Sequence, residues 1–171
     1  MGVNDDAQLI DQTFQSAAFG QLVEKYQDRL FNTVVHVIGN AEDAKDVVQE
    51  AFVQAFLKLR TFHCESAFYI WLYRIAFNVA ATHRHTTQSV DDGEGPTVRL
   101  EREERCRQVR EAIADLNEEH RVVLVLREID GCCYESIAEI LDVPVGTVRS
   151  RLHRARLQLR EQLKEVLAVE E

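Results

Sequence analysis

Between Val143 and Arg160 the sequence places five arginines, Arg149, Arg151, Arg154, Arg156 and Arg160, and no acid. A guanidinium is a planar fork of fixed charge that clamps phosphate or bonds a guanine edge bidentately, so this run is suited to a polyanion. A second group has the opposite sign. Glu42, Asp46 and Glu50 recur at i, i+4 and i+8, with Asp43 and Gln49 beside them. Like charges at that spacing destabilise a helix by about 0.2–0.5 kcal/mol per pair. The stripe is therefore either a solvated face or a surface that docks a basic partner helix. A third group lies in SAFYIWLYRIAFN. There Tyr69, Tyr73, Arg74, Phe77 and Asn78 fall partly off the apolar stripe of Phe68, Trp71, Leu72, Ile75, Ala76 and Val79. Rings stack on single-stranded bases and amides read base edges, while packing against neighbouring helices is the plainer use of the same residues.

Other reactive side chains carry less. Cys64, Cys106, Cys132 and Cys133 form no C-x-x-C pair and have no histidine pair at zinc-finger spacing. His83 and His85 are two residues apart, which does not place both on one helix face. No catalytic residue, metal site or cofactor is expected, and the thiols are expected to be reduced. The opening residues lack the charged start and apolar run of a signal peptide, and no window reaches the ~18 apolar residues of a membrane span. The expectation is a cytoplasmic chain with no membrane insertion.

The elements that must position these groups are helical. The 171 residues include two prolines and seven glycines, and 46% are hydrophobic, which excludes collagen-like and disordered classes. Apolar residues at spacings of three and four run from Phe19 to Ile38, and Gly39 ends that helix. Asn40 is a good N-cap for a second helix that buries Ala44, Val47, Val48, Ala51, Phe52, Ala55, Phe56 and Leu59. A third starts near Ser66. The stretch TTQSVDDGEGPTVR has no apolar periodicity and reads as a flexible linker. Beyond it, Leu100–Leu116 carries the seam Val109, Ala112, Ile113, Leu116, and a further helix runs from about Glu118 to Ile129, breaking at Asp130–Gly131.

A short helix Tyr134–Leu141, a turn Asp142-Val143-Pro144 and a basic helix from about Val145 make a helix-turn-helix. In it Val148, Leu152, Ala155 and Leu159 face the core, and Arg149, Ser150, His153, Arg154 and Arg156 face outward. The fold class is all-α: two small helical domains joined by a linker, the second a helix-turn-helix.

DAKDVVQEAFVQAF, FHCESAFYIWLYRIAFN and VPVGTVRSRLHRAR, in that order, resemble bacterial RNA polymerase sigma factors of the extracytoplasmic-function (ECF) group, RpoE-like members in particular. The resemblance implies a region-2 domain at 10–86, a linker at 87–99 and a region-4 domain at 100–168. It implies that Asp43, Asp46, Gln49 and Glu50 dock on the clamp helices of the polymerase β′ subunit, with the β flap as a further contact. Phe62, Ser66, Tyr73, Arg74 and Asn78 would melt and read the downstream (−10) promoter element. Thr147, Arg149, Ser150, His153 and Arg154 would read the upstream (−35) element, Thr147 contacting phosphate. An anti-sigma factor and a stress or envelope response are implied as well. In such proteins a serine often caps the helix that Cys133 precedes here, and a thiol caps more weakly.

The formal net charge of −9, from 29 acids and 20 bases, bounds the behaviour of the free chain. A promoter-specificity subunit of this charge should hold free DNA weakly and act on the polymerase. A stand-alone helix-turn-helix regulator would instead bind its operator tightly without polymerase, as a dimer.

Overall fold

A computed structural model describes residues 16–62, 67–84 and 100–168, and every regular element among them is helical. Ser66, Cys64, His85 and the linker 87–99 lie outside the described residues. Apart from Glu139–Leu141, the chain divides into two compact units at Gln88–Ser89.

In the first unit α1 spans Ser16–Ile38, α2 Ala41–Lys58 and α3 Phe68–Arg84, and each helix packs on the other two. α1 buries Phe19, Leu22, Tyr26, Leu30, Val34 and Val37, one face at the three-four spacing. Gly39 stops it with φ +85°, a conformation that a Cβ disfavours, and its N–H donates to the Val35 carbonyl. Asn40 starts α2 immediately: its side-chain oxygen accepts from the backbone N–H of Glu42 (2.8 Å) and Asp43 (3.1 Å). α2 then buries Ala44, Val47, Val48, Ala51, Phe52 and Ala55. Phe56 departs from expectation. It lies at the flank of the buried sector and is 49% exposed, its ring meeting only the edge of the Phe19 ring among the aromatics, at 5.1 Å between centroids.

The larger correction is on α3. Tyr73, expected partly outside the core, is fully buried. α3 touches both α1 and α2, so it buries two sectors rather than one stripe: Phe68, Ile70, Leu72, Tyr73, Ile75, Ala76, Val79 and Ala80 are all inside, while Trp71 is only half-buried.

In the second unit α4 spans Leu100–Ala114, α5 Glu118–Leu124, α6 Tyr134–Leu141 and α7 Val145–Ala168. α7 packs on α4 and α5. Ala112, Leu116, Val122–Leu126, Ile137, Ala138, Val148, Leu152 and Ala155 form the core, whereas Val109, expected on the α4 seam, is 39% exposed. Asn117 caps α5 by accepting from the His120 N–H at 2.9 Å. The helix expected to continue to Ile129 widens instead into a π-turn over Val125–Ile129. Asp130 N–H closes it on the Val125 carbonyl (3.0 Å), and Gly131, at φ +74°, ends it. Turns of this kind hold one residue more than the α-helix and frequently sit at functional sites.

Candidate nucleic-acid and docking interfaces

The helix-turn-helix is built from local signals. Cys133 caps α6, its Sγ accepting the Ser136 N–H at 3.4 Å and sharing a hydrogen bond with the Ser136 hydroxyl at 3.1 Å. Asp142 takes φ +53°, the left-handed conformation that a short polar side chain tolerates, and Val143 N–H returns to the Ala138 carbonyl at 3.0 Å. Pro144 cannot continue a helix from before it, but its carbonyl accepts from Thr147 (2.9 Å) and Val148 (3.2 Å), so α7 starts there. With Val148, Leu152 and Ala155 buried, the opposite side exposes Arg149, Ser150, His153 and Arg154 in one row, with Thr147 half-buried at its start. Ser150 donates its hydroxyl to the Thr147 carbonyl (3.0 Å), which leaves its oxygen to accept from outside.

The five arginines are not equivalent. Arg151 is tied to Glu119 at 3.0 Å and its side chain is only 22% exposed. Arg156 donates twice to Glu128, from Nη2 at 2.5 Å and from Nε at 3.1 Å. That hydrogen bond, with Glu128's charge, raises the guanidinium pKa. Arg149 and Arg154 make no ion pair among the described residues, and Arg149 lies over the Tyr134 ring at 5.9 Å. The acid-free run therefore offers fewer open charges than its sequence implies, because Glu119 and Glu128 reach it from α5 and the π-turn.

On α2, Asp46, Gln49 and Glu50 are exposed and Asp43 is half-buried over the cap. The stripe is partly compensated: Lys45 pairs with Glu42 at 2.7 Å, and Gln54 donates to Glu50 at 2.9 Å. The same face continues in Val53 and Leu57, 53% and 73% exposed, which the sequence reading did not single out. Their signal was available. Both fall outside the buried three-four rhythm and extend the Glu42–Asp46–Glu50 row by steps of three and four.

The aromatic group divides. Tyr73 and Phe62 are inside, so neither presents a ring for a base to stack on. The Tyr73 hydroxyl lies 3.5 Å from Thr33 Oγ1, and its ring stands edge-on to Tyr69 (6.2 Å) and Phe77 (6.3 Å). Phe62 packs on Phe68 (5.7 Å) and Trp71 (5.1 Å). Arg29 lies over Tyr69 at 5.2 Å. Arg74 and Asn78, one turn apart on α3, are exposed, and Tyr69 and Phe77 are half-buried.

Residues 22–89 match the family described as Sigma-70 region 2, and residues 106–159 match Sigma-70, region 4. The chain belongs to the ECF group of RNA polymerase sigma factors. It is 38% identical to the RNA polymerase sigma-H factor of Pseudomonas aeruginosa, covering 95% of each chain. It is 40% identical to the ECF RNA polymerase sigma-E factor of Escherichia coli, covering 81% of this chain and 83% of that one. Among solved structures it is similar to CnrH in complex with the cytosolic domain of CnrY, with a TM-score of 0.73 and 30% identity over 93% of this chain and 94% of the other. RpoE of Bartonella quintana, solved with the anti-sigma factor NepR, shares the fold at a TM-score of 0.70 and 22% identity, over 85% and 96% of the two chains. As a member of this group the protein binds core RNA polymerase and directs promoter-specific initiation; it is not an enzyme. No helix among the described residues is long and apolar enough to cross a membrane.

Proposed function

We propose that the polymerase and promoter contacts divide between the two units: a region-2 domain at 10–86, a linker at 87–99 and a region-4 domain at 100–168. Asp43, Asp46, Gln49 and Glu50 dock on the β′ clamp helices, and the second domain meets the β flap. Arg74 and Asn78 contact the melted −10 strand directly, and Ser66, in the segment that precedes α3, joins them. Phe62 and Tyr73 serve that surface from inside, as the packing that holds α3. Thr147, Arg149, Ser150, His153 and Arg154 read the −35 element in the major groove, Thr147 near the N-terminus of α7 where phosphate is favoured. The exposed row Arg149–Ser150–His153–Arg154, set opposite a buried apolar row on one helix, carries this reading.

The protein acts in the cytoplasm, in a stress or envelope response, and an anti-sigma protein holds it inactive. Support for such a partner comes from the resemblance and from CnrH, which was solved with the cytosolic domain of another protein.

The test is run-off transcription with core polymerase from promoters found by mapping start sites after overexpression. Reversing Asp46 and Glu50 to lysine should weaken polymerase binding at least tenfold. Arg149→Ala and Arg154→Ala should keep the complex and lose upstream-element recognition. Unchanged polymerase affinity after the double reversal would sink the docking assignment. Tight, specific binding of promoter duplex by the chain alone would favour a stand-alone regulator instead.

A further inference from the structure

One ring of the helix-turn-helix holds two arginines. Tyr134, the first residue of α6, is half-buried, and two guanidiniums lie over it: Arg127 at 5.0 Å and Arg149 at 5.9 Å from the ring centroid. Both fall within the ~6 Å range over which a π-face attracts a cation. The three residues come from three segments, the π-turn, α6 and the N-terminal part of α7. Arg127 is fixed a second time, donating from Nη1 to the Cys132 carbonyl at 2.9 Å, a bond between the π-turn and the residues that lead into α6. Arg149 has no ion pair among the described residues, and the ring is its one aromatic contact there. Arg154, at the other end of the same exposed row, has no ring beside it among the described residues.

We propose that Tyr134 is a positioning residue for upstream-element reading, and that its ring orients the Arg149 guanidinium before DNA arrives. This rests on α7 being the helix that reads the upstream element. A bidentate contact needs the plane of the fork to meet the base edge, and a long side chain that is ordered only on binding loses affinity in the ordering. Stacking supplies that order beforehand. An aliphatic residue of similar bulk would fill the space and lack the π-face. The consequence is local: the ring sharpens discrimination at the base pairs that Arg149 reads and leaves the pairs read through Arg154 as they are.

The experiment uses the full chain bound to core polymerase and a promoter duplex whose start site has been mapped. Each upstream base pair is transverted in turn, and affinity is measured for every duplex. Arg149→Ala first marks the positions that Arg149 reads, as those where discrimination disappears. Tyr134→Leu should then lower discrimination at those positions about three- to tenfold, in line with losing the preordering of one long side chain. Tyr134→Phe, which keeps the ring, should restore it. Thermal unfolding of each variant separates orientation from folding, and Tyr134→Met makes the same comparison where Tyr134→Leu does not fold.

Full discrimination by Tyr134→Leu at the Arg149 positions overturns the proposal. So does a loss spread evenly over all positions, which is what a merely structural role gives. If Arg149→Ala changes no position, Arg149 reads no base pair and the proposal falls, whereas loss of α7 reading as a whole would show as Arg154→Ala changing no position either. A clean Arg149 map with an unaffected Tyr134→Leu variant removes the role of the ring alone.

Discussion

Cys133 and Tyr73 show how much one side chain decides in each unit. The Cys133 thiol holds the first N–H it caps at 3.4 Å, long for a capping contact and made by a weak acceptor. Cys133→Ser should therefore strengthen α6 by about 0.5–1 kcal/mol, raising the melting temperature of the second unit by several degrees as followed by circular dichroism. An unchanged or lowered midpoint would mean that the thiol already caps as well as a hydroxyl. Tyr73 has the opposite character, a large ring with no exposed surface. Tyr73→Ala should destabilise the first unit by about 3–5 kcal/mol in urea unfolding, while Tyr73→Phe should fold and support run-off transcription. Loss of open-complex formation by a stably folded Tyr73→Phe would return that residue to direct contact with the melted strand. Tyr73 was illegible as a core residue because periodicity reports that a face is apolar, not how many neighbours a helix has. α3 has two, and the second claims the side that the stripe leaves out.

Among the elements, the caps and the helix-turn-helix could be read from sequence because their determinants are local. Gly39, Asn40, the Asp130–Gly131 break and the Asp142–Pro144 turn all act within a few residues. The charge state of α7 could not, since the acids that neutralise Arg151 and Arg156 come from Glu119 and Glu128, about thirty residues earlier. Those pairs are partly solvated and modest in energy, so their consequence lies in binding rather than stability. Glu119→Gln and Glu128→Gln together should steepen the salt dependence of binding to random duplex by about one unit for each arginine that then reaches phosphate. An unchanged slope would place both side chains out of reach of DNA. α4 carries a separate acid-sensitive pair. Hydrogen bonding to Arg107, at 2.6 Å, holds the Glu104 carboxyl below its ordinary value of 4.5. A carboxylate depressed in the folded state contributes fully above its unfolded pKa, and the contribution fades as pH falls through the folded value. Helicity should thus decline on acidification, and Glu104→Gln should remove part of that decline.

At the scale of the molecule, the net charge of −9 sits beside one helix with a few open arginines. Such a chain should leave a promoter duplex unshifted in a gel at concentrations where its complex with core polymerase binds that duplex fully. A shift by the chain alone at nanomolar concentration would contradict this. Two weak contacts become effective together once one polymerase holds both units, because the second then binds at high effective concentration. The packing around Trp71 has a practical consequence. It is the only tryptophan in the chain, half-buried on α3 with the Phe62 ring at 5.1 Å and the Phe68 ring at 5.7 Å. Its fluorescence belongs to the first unit alone and is silent about the second. Excited at the indole band, the unlabelled native protein reports the first unit by itself, so a change in emission during unfolding can be assigned to that unit without any engineered probe.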